Sequence, residues 1–218
     1  MVRTNKVYVV DDEASVLESI RFMLESEGYE VEVFTDPRDM LKQGKDSLAG
    51  CLITDIRMPG MSGLDMHDRL KATGVMLPTI VVTGHGDVPD AVRAMKSGCV
   101  DFIQKPWSND VLIERVRAAM QMDMDQSSAR DELGEVLERF NHLTPRERQV
   151  MASVVEGQLN KQIAGELGLS HKTIEVHRSH VMEKMVAGSL AELVRMAVMI
   201  EASDVARASE ESASSAQL

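Results

Sequence analysis

The 218-residue sequence predicts an α/β domain, a doubly wound five-stranded parallel sheet, followed by a small all-α domain. Three observations carry that prediction. Near-continuous apolar runs, KVYVVDD, CLITD, PTIVVT and VDFIQK, alternate with helical patterns through the first half, and such runs belong in parallel strands buried on both faces. Each run ends on a functional group, at Asp11 and Asp12, Asp55, Thr83 and Lys105. From residue 142 onward the pattern is helical throughout, with capping residues between short apolar repeats.

The first run is followed by a helical pattern. Glu13 to Glu27 places Val16, Leu17, Ile20, Met23 and Leu24 at helical spacing, with Gly28 where a C-terminal cap belongs. Strand–helix alternation continues to a last helix from about Asn109 to Met120, giving five strands and five helices. From Met122 to Phe140 the chain turns polar, and the spacing of Leu133, Val136, Leu137 and Phe140 fits a helical linker that pairs with its twin or a solvated spacer. Thr144-Pro145-Arg146-Glu147 then reads as a helix start, with Thr as N-cap, Pro at N1 and Glu at N3.

That helix runs to Gly157; Asn160 caps a second, closed by Gly168; Ser170 caps a third, from His171 to Met185; and Ser189 opens a fourth to Ile200. Helix, glycine-containing turn, helix is the arrangement of a DNA-reading helix-turn-helix. On the third helix Ile174, His177, Val181 and Met185 should face the core, leaving Lys172, Glu175, Val176, Ser179 and Glu183 outward. Beyond Glu201 the Ser/Ala/Glu-rich segment reads as disordered. The expected organisation is therefore 1–122, a linker over 123–141, 142–200, and a tail over 201–218.

Composition narrows the function. A formal charge of −11 argues against a simple nucleic-acid-coating protein, but the charge is uneven. Residues 1–124 carry 14 Lys/Arg against 20 Asp/Glu, whereas 142–200 carry 7 against 6, so the two regions differ in character. Two cysteines, Cys51 and Cys99, make no disulfide framework and read as buried small hydrophobes. The 16 methionines read as core filler. No stretch approaches the ~18 apolar residues of a membrane span. The first strand starts almost at once, so no signal peptide is expected and a soluble cytoplasmic protein is.

Parallel strands point one way, so their C-terminal ends converge on one edge, where open α/β sheets bind ligands. Three carboxylates, a hydroxyl and an ammonium there make an ion-and-phosphate site. Mg²⁺ takes oxygen ligands and keeps several waters, so Asp11, Asp12 and Asp55 suffice to hold it. Asp55, exposed by the Met58-Pro59-Gly60 turn, is the candidate nucleophile that forms an aspartyl-phosphate. Lys105 would offer a cation to the phosphoryl oxygens and Thr83 a hydroxyl donor. Arg57 and His85, two residues after Asp55 and Thr83, are placed to screen or orient an attacking water.

The stretches VYVVDDE, LITDIRMPGMSGL, IVVTGHGDV and AMKSGCVDFIQKP resemble the receiver domain of two-component response regulators, over about residues 4–122. With TGHGDV and the second half, the likeness is to the FixJ type within the NarL/FixJ group. The resemblance implies a flavodoxin-like strand order, phosphotransfer from a sensor histidine kinase to Asp55, and Mg²⁺ on Asp11, Asp12, Asp55 and the backbone carbonyl of Arg57. It further implies Thr83 and Phe102 as a switch pair and Lys105 as the phosphate-binding lysine, followed by a cis bond to Pro106.

LTPRERQV, NKQIAGELGLSHKTIEVHRSHVMEKM and SLAELVRMA resemble the LuxR-type four-helix output domain, over about residues 142–200. That likeness implies Lys161 and Thr173 near phosphates, and Lys172, Glu175, Val176, Arg178 and Ser179 as groove contacts. It implies a dimer face on Leu190–Met199, a homodimer formed on phosphorylation, and promoter DNA and RNA polymerase as partners. Glu175 and Glu183 make the recognition helix less basic than is typical, although Glu can accept from cytosine N4. His177 and His180 read as packing or capping residues, because no Cys or third ligand spacing accompanies them.

A rival reading is an aspartyl-phosphate enzyme, which needs a second acid two residues past its nucleophile. Arg57 stands there, so no enzyme is expected. A receiver fold triggered by something other than phosphate is the third reading, and the complete acidic site counts against it.

Overall fold

The computed structural model describes residues 5–44, 48–84 and 88–215, with side chains to residue 205. The chain divides into two compact units, Met1–Ser127 and Ser128–Leu218, and each is taken by itself. The first unit holds β1 (Lys6–Val10), β2 (Glu30–Phe34), β3 (Cys51–Thr54), β4 (Thr79–Thr83) and β5 (Asp101–Gln104) in one parallel sheet of order β2-β1-β3-β4-β5. This is the expected doubly wound topology. The order reverses direction at β1, so the crevice beyond the C-terminal ends of β1 and β3 is the switch point. The pairing of Val10 with Thr54 brings Asp11 and Asp55, the next residues, side by side at that crevice.

Alternation along the strands feeds two cores. Val7, Val9, Ile53 and Ile80 face one side of the sheet, packed with Leu17, Ile20 and Leu24 of α1 (Ala14–Ser26) and Leu112 and Val116 of α5 (Asn109–Asn141). Tyr8, Val10 and Leu52 face the other, against Met40 of the single-turn α2 (Pro37–Met40) and Met66 and Leu70 of α3 (Gly63–Ala72). Gly28 ends α1 at φ +87°, a conformation that favours glycine. Between β4 and β5 lies α4 (Val88–Ser97).

The longest departure from expectation is α5. It does not stop near Met120 but runs on to Asn141, since the polar stretch after Met122 contains no proline to stop it. Asp123, buried, accepts the Gly50 amide at 2.9 Å and so fixes this part of the helix to the start of β3. Further along, Val136 is buried with Leu137 and Phe140 against the core of the second unit. The stripe read as pairing with a twin, or as solvated, therefore packs within its own chain.

The second unit adds α6 (Pro145–Val155), α7 (Asn160–Leu167), α8 (His171–Lys184) and α9 (Leu190–Ser215) around Val150, Ile163, Ile174, Val181, Leu193 and Met196. Gly168, at φ +65°, turns α7 into α8, whose N-cap Ser170 accepts the Thr173 amide at 3.0 Å. Asn160 does not cap α7. It is the first helical residue, and its side chain accepts from Arg178 Nη1 at 3.0 Å instead. The segment from residue 201, read as a disordered tail, continues α9 to Ser215; its Ala and Glu are good helix formers and no Gly or Pro interrupts them.

At the start of α6 the expected capping box is present: Thr144 Oγ1 accepts the Glu147 amide at 3.3 Å, and Glu147 Oε2 accepts the Thr144 amide at 2.8 Å. Glu147 is buried and also receives Lys184 Nζ from α8 at 2.7 Å. Burial pushes its carboxyl up, but the bonds from Lys184 and Thr144 outweigh it and hold the pKa at about 2 against an ordinary 4.5. A depressed folded-state pKa gives stability that is present above the unfolded value and is lost as pH falls through the folded one. That shift corresponds to roughly 3 kcal/mol. Glu147→Gln should therefore speed amide exchange across α6 and α8 by about two orders of magnitude near neutrality, with the gap closing as the pH approaches about 2. A gap that stays constant with pH would show that the carboxylate's charge is not what ties the helices.

Candidate functional site

The ends of β1 and β3 converge on Lys105, just past the end of β5. Its Nζ lies 2.7 Å from Asp11 Oδ2, 3.4 Å from Asp55 Oδ2 and 3.7 Å from Glu13 Oε1. Asp11 and Asp55 are buried and Asp12 is exposed, yet each of the three brings a carboxylate oxygen within 4.8 Å of the others. Backbone amides hold the acids from the opposite side. Asp11 Oδ1 accepts from Glu13 at 2.9 Å, and Asp55 Oδ1 accepts from Ile56 at 2.6 Å and Arg57 at 3.4 Å.

The electrostatics are those of a crowded acidic pocket. Burial raises the pKa of Asp11; the Lys105 and Glu13 bonds oppose that rise and the charge of Asp55 adds to it. Burial works against the charge on Lys105, but its bond to Asp11 and the fields of Asp11 and Asp55 prevail and keep its pKa above the ordinary lysine value. A buried carboxylate penalised as an anion, within reach of two others, is a donor set that fits a hard divalent cation.

The Met58-Pro59-Gly60 turn does not expose Asp55, as the sequence suggested it would: the side chain is buried, and the turn that follows it is tightly packed. Gly63, at the start of α3, passes so close to the Asp55 carbonyl and the Thr54 hydroxyl that a Cβ there would collide with both. The turn after β3 can close only with glycine at this position. Thr83, at the end of β4, is buried, and its carbonyl accepts the Lys105 amide at 2.8 Å. Phe102 is half-buried against Ile56, Leu64, Val81, Ala94 and Cys99. The Lys105–Pro106 peptide is cis, as expected. Arg57 turns outward, its guanidinium 3.4 Å from Asp90 of α4; His85 lies outside the described residues. Glu13, next to the Lys105 ammonium, was signalled in the sequence only by its place after Asp11 and Asp12. Both cysteines are buried, and burial raises both thiols, Cys99 to about 11.

In the second unit Lys161, Lys172, Glu175, Val176 and Ser179 are exposed, and Thr173 and Arg178 are half-buried. Glu175 is engaged by Lys172 at 3.1 Å, which offsets part of the acid on α8, and its carboxylate lies 3.5 Å from His171 Nδ1. Ile174, Val181 and Met185 are buried as expected, with His177 half-buried among them.

Comparison with known proteins agrees with both halves. Residues 7–117 match the response regulator receiver domain, and residues 141–197 match the bacterial regulatory proteins of the luxR family. The transcriptional regulatory protein FixJ of Azorhizobium caulinodans is 47% identical over 88% of this chain and 92% of its own length. The response regulator protein TodT of Pseudomonas putida is 42% identical over 89% of this chain and 86% of its own. Among solved structures, the response regulator StyR superposes with a TM-score of 0.78 at 40% identity, covering 88% of this chain and 97% of that one. Full-length FixJ from B. japonicum gives 0.55 at 41% identity, covering 89% and 96%. These relatives are named as regulators rather than enzymes, and among the described residues no helix is long and apolar enough to cross a membrane. The chain belongs to the two-component response regulators of the NarL/FixJ group, a receiver domain joined to a LuxR-type helix-turn-helix.

Proposed function

We propose that this regulator takes a phosphoryl group from a sensor histidine kinase onto Asp55, pairs with a second copy, and binds promoter DNA to set transcription by RNA polymerase in the cytoplasm. The convergence of Asp11, Asp12 and Asp55 around Lys105 supports this reading most strongly. Mg²⁺, held by the three carboxylates and the Arg57 carbonyl, would neutralise charge on the transferring group. Asp55 Oδ1 is tied to two backbone amides, so the carboxylate is fixed in orientation before it attacks. Lys105 would then exchange part of its contact with Asp11 for the phosphoryl oxygens, and the Thr83 hydroxyl would donate to them.

Movement of Thr83 toward the phosphoryl group would leave room for Phe102 to turn inward from its half-buried position. The surface that this repacks includes Val88, Val92 and Met95 of α4, 77%, 46% and 54% exposed. Apolar exposure of that extent on one helix suits an interface. In the DNA-reading unit, Lys161 and Thr173 are assigned to phosphates, and Lys172, Glu175, Val176, Arg178 and Ser179 to the groove. Leu190–Met199, the first part of α9, serves as its dimer face.

Asp55→Asn should abolish labelling by acetyl phosphate in Mg²⁺, since an amide is a poor nucleophile. Labelling that survives this change and vanishes on replacing another aspartate places the acceptor elsewhere. Asp12→Ala should leave the acceptor intact but weaken Mg²⁺ binding and slow the reaction.

Two recognition helices related by a two-fold axis call for an inverted repeat, with half-sites about 10–10.5 bp apart or a multiple of that. Lys161→Ala should weaken binding to all sequences alike and flatten its salt dependence. Changes at Val176 or Ser179 should alter base preference at one position per half-site, by roughly 1–3 kcal/mol. Footprinting that finds one asymmetric half-site protected by phosphorylated monomer would remove the dimer mechanism.

A further inference from the structure

The sequence offers no third ligand for His177 and His180, but the fold supplies one. Glu147 comes from the first turn of α6, thirty positions earlier in the chain than His177, and these three side chains each bring a ligand atom within 4.8 Å of the others. The two histidines stand three residues apart on α8, which places them on one side of that helix. His177 Nδ1 is buried and has no hydrogen-bond partner among the described residues. A buried ring nitrogen in that condition calls for an explanation, and a bound ion is one that chemistry permits.

The carboxylate is divided between two tasks. Its Oε2 accepts from Lys184 Nζ at 2.7 Å and from the Thr144 amide at 2.8 Å. Its Oε1 faces His180 Nδ1 at 3.6 Å. Two ligands about 2 Å from a tetrahedral ion stand roughly 3.3 Å apart, so modest side-chain rotation closes the set. His180 is 52% exposed, which gives an ion a path in from solvent.

We propose that Glu147, His177 and His180 form a metal site in the DNA-reading unit, taking a borderline divalent ion of the Zn²⁺ or Co²⁺ kind. Two imidazoles and one carboxylate select such ions over Mg²⁺, which prefers an all-oxygen shell. Three protein ligands leave a fourth position for water. The Lys184 ammonium, paired with the other carboxylate oxygen, opposes a dication and makes the site weaker than an all-His or Cys site. The ion ties the first turn of α6 to the middle of α8, the helix that presents Val176 and Ser179. Its binding is independent of phosphorylation at Asp55.

The test uses the full chain with saturating Mg²⁺, so that a hard cation occupies the receiver's acidic pocket. Titration with Co²⁺ should give one equivalent of ion with the intense visible absorption of four-coordinate cobalt, which Zn²⁺ then displaces. His180→Ala, at a half-exposed position that the fold tolerates, should lose about 10- to 100-fold in affinity or more. Asp12→Ala should leave the absorption unchanged. Absence of the band, equal affinity in His180→Ala, or loss of the band in Asp12→Ala would each overturn the proposal, and none of them would touch the assignment of Asp55.

Discussion

The first unit depends on one ammonium group. A parallel sheet of this order gathers Asp11 and Asp55 at its switch point whatever else the chain does, and Asp12 lies beside them. Like charges at about 4–5 Å repel by roughly 3–4 kcal/mol per pair at an effective dielectric of 20. Lys105, at 2.7 and 3.4 Å from the two buried carboxylates, supplies attraction of similar size and holds the pocket together. Three carboxylates and one ammonium still leave an excess of two negative charges, the complement of a divalent cation. The residual charge that makes the pocket costly is also what makes it selective.

Much of this was legible because strand C-termini are read directly from apolar runs. β1, β3, β4 and β5 end where KVYVV, CLIT, TIVVT and DFIQ end, and a parallel sheet gathers the residues just past its strands on a single edge. β2 is quieter in sequence because EVEVF alternates as an edge strand does, with Glu32 turned to Lys6 at 2.8 Å. Helix caps were equally plain: Thr144 with Glu147, and Ser170 ahead of α8, are local patterns of three or four residues.

What escaped the sequence is tertiary. Nothing near Asp123 signals that it bonds the amide of Gly50, 73 positions away. The stripe at Val136, Leu137 and Phe140 has helical spacing, but spacing alone does not say whose core it joins. Gly63 looks like an ordinary helix start until the Asp55 carbonyl is found against it. Glu147 was visible as a cap but not as the partner of Lys184 or the neighbour of His177 and His180, because those residues lie on another helix. Local chemistry is written locally; the partners that turn a cap into a buried ion pair are not.

The two units use unlike donor sets. The first assembles carboxylates at a sheet edge, a donor set we propose for a hard ion and a phosphoryl group; the second exposes Lys161, Lys172, Val176 and Ser179 on a scaffold that Glu147 ties to Lys184. For a phosphorylation-switched regulator, chemistry at the first must govern binding by the second. Genome-wide mapping of the DNA bound by the native chain and by Asp55→Asn, each with and without a phosphoryl donor, measures that link directly. Coupling through Asp55 predicts inverted-repeat sites that strengthen with the donor in the native chain and stay weak in Asp55→Asn. Identical maps under all four conditions would contradict it.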